Sequence, residues 1–447
     1  MSLHAIVIGS GVDSLVAAHV LARAGRQVML IEERPVVPRE SGWVPPRVVR
    51  ELNLSLQVDA PDPWARVLLP DGGTLELWRD IRRTSDSIGK LSGNDARRWP
   101  AFCRRMAALA RLFEALYTEG PTDPLNLRLA LRVRNLGREG MVDLMRILPM
   151  SVAELLDDWF ECDPLKGALG AMGILHLQQG PRSGGTAFRF LHHHVGSPEG
   201  VFRPSRSNLG AVLRERRGVH VKAAGVKKLR MRAGRVEGVV LHDGEELEAP
   251  TVVSGADPAR TLLELADPGV LDPELARAVR GIRRRGVAAR LVFRSGEKVG
   301  NVVYAPSLDY LERAYDDVKY GRVSRAPYLE AYPTVEGADV HLQYVPYEAK
   351  DDLAAIARRL LPALGDAQAL AMGPAELERE YGWPQGQPYH AELALDQALW
   401  MRPLPELAQY RTPIEGLWLC GPATHPGGGI AGASGYNCAR AILKEKR

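Results

Sequence analysis

The sequence is poor in cysteine and in aromatic side chains. It has four cysteines and 6% aromatic residues among 447 positions. Cys103, Cys162, Cys420 and Cys438 are scattered, and no two of them have the short spacing of a redox pair or of a zinc ligand pair. This excludes a sequence-local redox disulfide and a cysteine-based zinc site, and it is typical of a reducing compartment.

Long apolar runs and a strong net charge are also missing. No apolar run reaches the roughly 18 residues of a transmembrane helix, and a strand pattern starts at residue 4 without a preceding signal peptide. We therefore expect a cytoplasmic protein. The net charge of +4 is small for this length and argues against a nucleic-acid partner, but it leaves open a peripheral contact with anionic lipid.

The first 32 residues have the pattern of a nucleotide-binding βαβ unit. Residues 4–8 are a short apolar run that predicts a buried parallel strand, a Gly9-Ser10-Gly11 turn follows, and residues 15–24 have helical spacing. Residues 28–31 predict a second strand that ends at Glu32. In such a unit Gly9 permits the tight turn, Gly11 lets the backbone approach a pyrophosphate at the helix N-terminus, and Glu32 accepts hydrogen bonds from a ribose.

Further segments indicate how this unit continues along the chain. Residues 67–78 predict a hairpin, residues 93–120 a long helix, and Ser151 with Glu154 the capping box of another helix. Residues 219–253 change to short β segments, and Asp257 is expected to cap a helix over 258–266. Strands are predicted at 287–293, 340–345 and 416–420, with helices at 351–361 and 431–443.

The C-terminal block and several matching segments resemble the phytoene-desaturase-like branch of the FAD-dependent amine-oxidase superfamily, including its pyridine-nucleotide-disulfide-oxidoreductase-domain relatives. The resemblance rests most on residues 419–432, which read LCGPATHPGGGIAG, and on residues 388–397 and 410–414 before them. It extends to residues 151–165, to His192-His193 and to the meander from 226 to 263, and therefore covers nearly the whole chain.

This resemblance implies the fold and the cofactor site. The fold class is α/β, with a discontinuous Rossmann-like FAD-binding domain (1–80, 205–266 and 411–447) and an inserted α+β substrate or cap domain (81–204 and 267–410). Gly421 is expected near the FAD diphosphate and ribityl chain, residues 429–431 under the isoalloxazine, and the backbone of Val226 at the adenine. The full set of predicted cofactor-binding residues is Gly9, Gly11, Val12, Asp13, Ser14, Glu32, Glu33, Arg34, Ser41, Gly42, Val226, Gly255, Gly421, Gly429, Ile430 and Ala431.

The chain departs from the family pattern at glycine sites. Ser14 replaces the third glycine of the turn, Ser41-Gly42 stands where relatives have two glycines, and Ser207-Asn208 aligns with another glycine pair. Side chains at these positions are expected to crowd the cofactor, which predicts loose FAD binding and tighter binding when Ser14 and Ser41 are changed to glycine.

The predicted function is that of an FAD-dependent oxidoreductase that oxidises or dehydrogenates a hydrophobic or amine-like small molecule. Because no second strand-GxGxxG-helix unit is present, we expect oxygen or a quinone as the external electron acceptor, with no disulfide reduction. The alternative is a non-catalytic lipid- or protein-binding relative, similar to the GDP-dissociation inhibitors, with weakened or lost FAD binding. The altered glycines favour this alternative, and residues 427–432 favour the enzyme.

No catalytic residue is identified by a motif. The histidines at 192–194 do not predict a metal site, because consecutive side chains point in different directions in regular structure. For His425 two roles stay open, polarising a substrate or anchoring its loop. Tyr389, His390, Trp400 and Tyr436 are candidates for either pocket wall or core.

Overall fold

The computed structural model of the protein describes residues 2–34, 42–118, 120, 131, 134–135, 137–294 and 299–445. The strands in these ranges are β1 (Ala5–Ile8), β2 (Val28–Glu32), β3 (Ala65–Leu68), β4 (Thr74–Leu77), β5 (His220–Ala223), β6 (Val226–Arg232), β7 (Arg235–Leu241), β8 (Glu246–Glu248), β9 (Val252–Ser254), β10 (Ala288–Arg294), β11 (Val302–Tyr304), β12 (Leu329–Pro333), β13 (Gly337–Gln343), β14 (Gln368–Met372) and β15 (Leu417–Leu419).

The α-helices described are α1 (Val12–Arg23), α2 (Pro46–Leu52), α3 (Ile81–Gly89), α4 (Gly93–Tyr117), α5 (Gly137–Ile147), α6 (Val152–Asp157), α7 (Asp163–Ile174), α8 (Thr186–His194), α9 (Leu209–Glu215), α10 (Pro273–Gly281), α11 (Leu308–Lys319), α12 (Leu353–Leu360), α13 (Pro374–Tyr381) and α14 (Ala433–Lys444). A π-helix covers Arg260–Leu265, and short 3-10 turns occur mainly between residues 384 and 407.

A five-stranded parallel sheet forms the nucleotide-type half of the molecule, with the strand order β15-β9-β1-β2-β5. The strands come from the beginning, the middle and the end of the chain. Both faces of β1 are buried: Ala5 and Val7 pack with α1, α9 and α14, while Ile6 and Ile8 pack with the small β6-β7-β8 sheet. This architecture confirms the predicted α/β class with a discontinuous Rossmann-like sheet.

The second half contains a seven-stranded sheet in the order β14-β10-β13-β12-β11-β3-β4. All of its pairings are antiparallel except that of β11 with β3. Helices α4, α6, α7 and α8 pack together around an aromatic cluster that includes Trp99, Phe102 and Phe202.

Two expectations from the sequence need correction. The hairpin β3–β4 forms as predicted, but it joins the seven-stranded sheet through β11, so the first piece of the nucleotide-type domain ends before residue 65 and not at residue 80. Asp257 accepts hydrogen bonds from the N–H groups of Ala259 and Arg260, as a cap should, but most of the turn that follows is a π-helix instead of an α-helix. The other domain boundaries stay a prediction.

The capping box at Ser151 is present, with Ser151 Oγ accepting from Glu154 N and the Glu154 carboxylate accepting from Ser151 N. Across the described helices, none combines the length and the apolar character needed to span a bilayer.

Candidate functional site

The turn between β1 and α1 has the geometry of an anion-binding loop. Gly9 has φ = +114°, a conformation that strongly favours glycine, and Gly11 is the N-cap of α1 without a side-chain cap. A Cβ atom on Gly11 would meet no other atom within 4 Å, so the backbone there is open to the cavity. Free N–H groups at a helix N-terminus and the positive end of the helix dipole favour a phosphate group.

A cavity of about 330 Å³ begins at this turn and extends between the two sheets. Residues from all three chain segments that form the parallel sheet line this cavity. Each predicted cofactor residue lines it except Glu32, Ser41 and Gly42. The lining members of that set are Gly9, Gly11, Val12, Asp13, Ser14, Glu33, Arg34, Val226, Gly255, Gly421, Gly429, Ile430 and Ala431. An elongated dinucleotide fits this arrangement. Its phosphates would lie at the N-terminus of α1, and its far end would lie at the N-terminus of α14.

Glu32 lies just behind the lining at the end of β2, with 3% of its surface exposed. Arg214 of α9 donates from Nη1 to both carboxylate oxygens of Glu32 at 2.8 Å and from Nη2 to the carbonyl oxygen of Ser10, also at 2.8 Å. This arginine was missed in the sequence, since nothing local marks it as a partner of residue 32. A carboxylate has about four acceptor positions, so a ribose hydroxyl remains compatible with the ion pair.

Gly42 supports the second glycine turn instead of lining the cavity. It pairs with Gly429 in a parallel bridge and has φ = +143°, and a Cβ atom on it would lie 2.5 Å from the Gly429 carbonyl oxygen. The neighbouring Trp43 donates to Gly429 O at 3.0 Å and accepts from Ala431 N at 2.8 Å. Ser41 falls outside the described residues.

Of the remaining altered glycine sites, Ser14 lines the cavity, whereas Ser207 and Asn208 do not. Ser207 forms an isolated antiparallel β-bridge with Val58, and Asn208 Oδ1 accepts a hydrogen bond from Gln57 N at 2.8 Å, so neither residue lines the cavity. Ser14 is buried against Gly255, which has no side chain at the point that the Ser14 hydroxyl fills. Ser207 and Asn208 are therefore placed away from the cavity, and the Ser14 hydroxyl packs on Gly255. The loose FAD binding expected from these sites stays a prediction.

Buried basic and aromatic side chains hold the turn at residues 427–429. Arg402 is fully buried and donates to five carbonyl groups, those of Tyr389, Ala391, Glu392, Gln397 and Pro422. Burial lowers the pKa of Arg402 to about 9. The Tyr389 ring occupies the space where a side chain on Gly428 would lie, so glycine is required there.

The three consecutive histidines are structural. His192 Nε2 lies 2.8 Å from the Gly428 carbonyl, an acceptor only, so Nε2 carries the proton and Nδ1 accepts from Tyr117 Oη at 2.9 Å. His193 and His194 contact the carbonyls of Met172 and Val201, and burial lowers the pKa of all three rings. Within the described ranges, no group of three or more His, Cys, Asp or Glu side chains is arranged to hold a metal ion.

His425 and the candidate aromatic residues separate into wall and core. His425 is buried against the Tyr117 ring and does not line the cavity, while its carbonyl accepts from Tyr410 and Ser434, which favours an anchoring role. Tyr389 and His390 line the cavity. Tyr436 packs in the core beside α1 and donates to Glu51.

Several lining residues on the seven-stranded sheet were not identified from the sequence. Arg290 donates from Nε and Nη2 to Asp339 and from Nη1 to the Tyr381 hydroxyl, which makes a compensated ion pair at the cavity wall. Tyr332 and His341 also lie on this sheet, and His176, which follows α7, lines the cavity next to His341. Alternation on strands β10 and β13 was the available signal, but only cross-strand pairing shows that these polar side chains share one wall.

No protein-family model matches the chain. It is 26% identical over 545 aligned positions to pyridine nucleotide-disulfide oxidoreductase domain-containing protein 2 from Rattus norvegicus, with 99% of this chain and 93% of the relative covered. It is 30% identical over 323 positions to hydroxyneurosporene desaturase from Rubrivivax gelatinosus, covering 64% of this chain and 58% of the relative.

Among solved structures, putrescine oxidase bound to putrescine has a TM-score of 0.60 at 15% identity, with both chains covered in full (100%). At this identity the likeness shows the fold alone. The curated relatives confirm the predicted resemblance to pyridine-nucleotide-disulfide-oxidoreductase-domain proteins and desaturases, and the likeness to putrescine oxidase confirms the fold.

Proposed function

We propose, from the similarity of the chain to amine oxidases and desaturases, that the protein is an FAD-dependent oxidoreductase acting on a small hydrophobic or amine-like molecule. The observation that carries this proposal is the convergence of both glycine turns and two helix N-termini on one cavity. FAD, when bound, supplies hydride acceptance at its ring system.

The protein's own residues bind, orient and shield the cofactor. The open backbone at Gly11 and the N-terminus of α1 favour the diphosphate, Glu32 the ribose, and residues 429–431 at the start of α14 the flavin ring. The buried Tyr389 and the carbonyl contacts of Arg402 fix the glycine turn, so the flavin ring would bind against a rigid wall.

The first test is FAD binding by Glu32 variants. We expect the purified protein to show flavin absorption bands or to bind added FAD, and we expect Glu32→Ala to lose at least tenfold in FAD affinity, because a charged hydrogen bond contributes about 1.5 to 3 kcal/mol. The measurement is titration of apoprotein followed by flavin fluorescence quenching.

Arg214→Ala is the matched control. It breaks the same ion pair but leaves the Glu32 carboxylate available to the ribose, so its loss of affinity should be smaller. Equal losses in the two variants would limit Glu32 to a structural role. A folded protein that binds no FAD would instead overturn the proposal and support the non-catalytic alternative.

A further inference from the structure

Arg206 is a cationic side chain on the cavity wall, at a point where the two halves of the molecule meet. It lines the cavity and is half-buried. The preceding residue, Ser205, accepts at its carbonyl from the Gly42 N–H at 2.5 Å, and Gly42 pairs with Gly429. Arg206 therefore follows directly on the segment that supports the second glycine turn, beside the expected position of the flavin ring.

The guanidinium group of Arg206 lies over an aromatic ring of the seven-stranded sheet. Its Cζ atom is 3.1 Å from the centre of the Tyr332 ring on β12, and Tyr332 also lines the cavity. A guanidinium group has five N–H donors in its own plane and no acceptor, so the contact of Cζ with the ring does not use these donors. The planar fork of donors matches the two oxygens of a carboxylate.

Buried side chains hold the Tyr332 ring in place beneath Arg206. Arg203 Nη1 donates to the Tyr332 hydroxyl at 3.3 Å. Arg203 itself forms an ion pair with Glu330, and these two residues are 8% and 1% exposed. The Glu330 carboxylate also accepts from the Tyr328 hydroxyl. The ring under Arg206 is thus part of a fixed network, which gives the guanidinium group a defined position on the wall.

Basic side chains outnumber acidic ones among the described residues that line the cavity. Two of the acids already face arginines, with Glu33 at 3.1 Å from Arg260 and Asp339 at 3.0 Å from Arg290. Burial raises the pKa of Asp13 to about 7, so this third acid is only partly charged at neutral pH. The four basic residues are Arg34, Arg206, Arg260 and Arg290, against the three acids Asp13, Glu33 and Asp339. The lining therefore favours an anion over a cation.

The phosphates of a bound dinucleotide do not account for Arg206. They are expected at the Gly9–Gly11 turn and the N-terminus of α1. Arg206 contacts the sheet on the opposite side of the cavity, next to the turn expected beneath the flavin ring. A group that reaches Arg206 would therefore belong to the molecule that reacts at the flavin.

We propose that Arg206 is a specificity-determining residue that binds an anionic oxygen group of the substrate, such as a carboxylate, through its N–H donors. This rests on the proposed function, since it narrows the substrate class of the same cavity to amine-like or hydrophobic molecules that also carry an acid group. A pure hydrocarbon would displace water from the guanidinium group without replacing its hydrogen bonds, and a diammonium ion would meet like charge.

The test compares benzoate with benzamide, two probes of nearly the same shape that differ in charge. Binding to the FAD-loaded protein is measured by titration calorimetry near pH 8, and the flavin absorption of the same samples is recorded. We expect benzoate to bind about tenfold more tightly, because hydrogen bonds between charged groups are stronger than those between neutral ones.

Arg206→Gln is the decisive variant, since it removes the charge and keeps a polar side chain. It should abolish the preference for benzoate without loss of FAD. Arg206→Lys keeps the charge but loses the planar fork, so part of the preference should remain.

Arg379→Gln is the matched control. Arg379 lies on α13 with 66% of its side chain exposed and does not line the cavity, so this variant makes the same change in net charge outside the site. Its preference for benzoate should equal that of the wild type.

Equal affinity of the wild type for the two probes, no measurable binding of benzoate, or an unchanged preference in Arg206→Gln would each overturn the assignment. Loss of the preference in Arg379→Gln as well would reduce it to an effect of overall charge and would also overturn it. Protein that binds no FAD fails the proposed function before any probe is added, whereas FAD-loaded protein without a preference fails only this inference.

Discussion

At the scale of single residues, Asp13 is a buried carboxylic acid whose charged form is disfavoured. It lies in the first turn of α1, is 7% exposed, and its carboxylate contacts the backbone N–H of Gly435 in α14 at 3.3 Å. Burial raises the pKa of Asp13 to about 7. Its neighbours Tyr410, Cys420 and Cys438 have pKa values raised by burial, so they stay uncharged and do not compensate it.

We expect Asp13→Asn to stabilise the apoprotein at alkaline pH and to leave it unchanged near pH 4. The folded state holds the Asp13 proton more tightly than the unfolded state, whose pKa is close to 3.8, so the wild type loses stability as the pH rises from there to about 7 and no further. The difference should be about 4 kcal/mol, since each pKa unit corresponds to about 1.4 kcal/mol. Urea unfolding across this pH range measures it, and a difference that does not vary with pH would contradict the assignment.

At the scale of elements, the local signals in the sequence predicted the local structure well. The glycine turn, α1 and β2 follow one another within 32 residues, and the capping box at Ser151 needs only four positions. The pairing of β3 with β11 and the backbone of His176 depend on partners over a hundred residues away, so no local pattern reveals them. For the same reason the Glu32 position was predictable and its partner Arg214 was not.

The packing of the β1–α1 turn against the end of β9 explains how the chain accommodates Ser14. A Cβ atom on Gly255 would overlap the Ser14 hydroxyl and approach the Ile8 carbonyl oxygen to 3.0 Å. The Ser14 hydroxyl therefore occupies the space that a side chain at position 255 would need. It packs against the end of β9, although Ser14 itself lines the cavity.

We expect Gly255→Ala to cost about 1 to 3 kcal/mol of stability by overpacking, and Ser14→Gly introduced with it to recover part of that loss. Ser14→Gly alone should not tighten FAD binding. A double-mutant cycle from urea unfolding and FAD titration measures the coupling. Additive effects of the two substitutions would show that the side chain at 14 and the backbone at 255 do not compete for space.

At the scale of the whole molecule, the cavity lies between two halves that line it with different kinds of residue. The parallel sheet contributes glycine turns and helix N-termini, while the seven-stranded sheet contributes compensated polar side chains. The first half resembles a widely used cofactor-binding pattern and was predictable from motifs. The second half forms the opposite wall of the cavity, and this wall exists only after distant strands have paired.

This division also bears on the route of the electrons. A nicotinamide cofactor needs its own glycine turn and helix N-terminus for a second diphosphate, and the sequence has no second strand-GxGxxG-helix unit. We therefore expect NADH and NADPH to reduce the bound flavin only slowly. Oxygen or an added quinone should reoxidise it after chemical reduction.

Anaerobic stopped-flow mixing of the FAD-loaded protein with each nicotinamide, followed by flavin absorbance, measures the first step. Mixing of the dithionite-reduced protein with oxygen or quinone measures the second. Fast bleaching that saturates with NADPH would mean that the nicotinamide binds directly in the cavity between the two sheets. The cavity would then be a nicotinamide site as well as a flavin site.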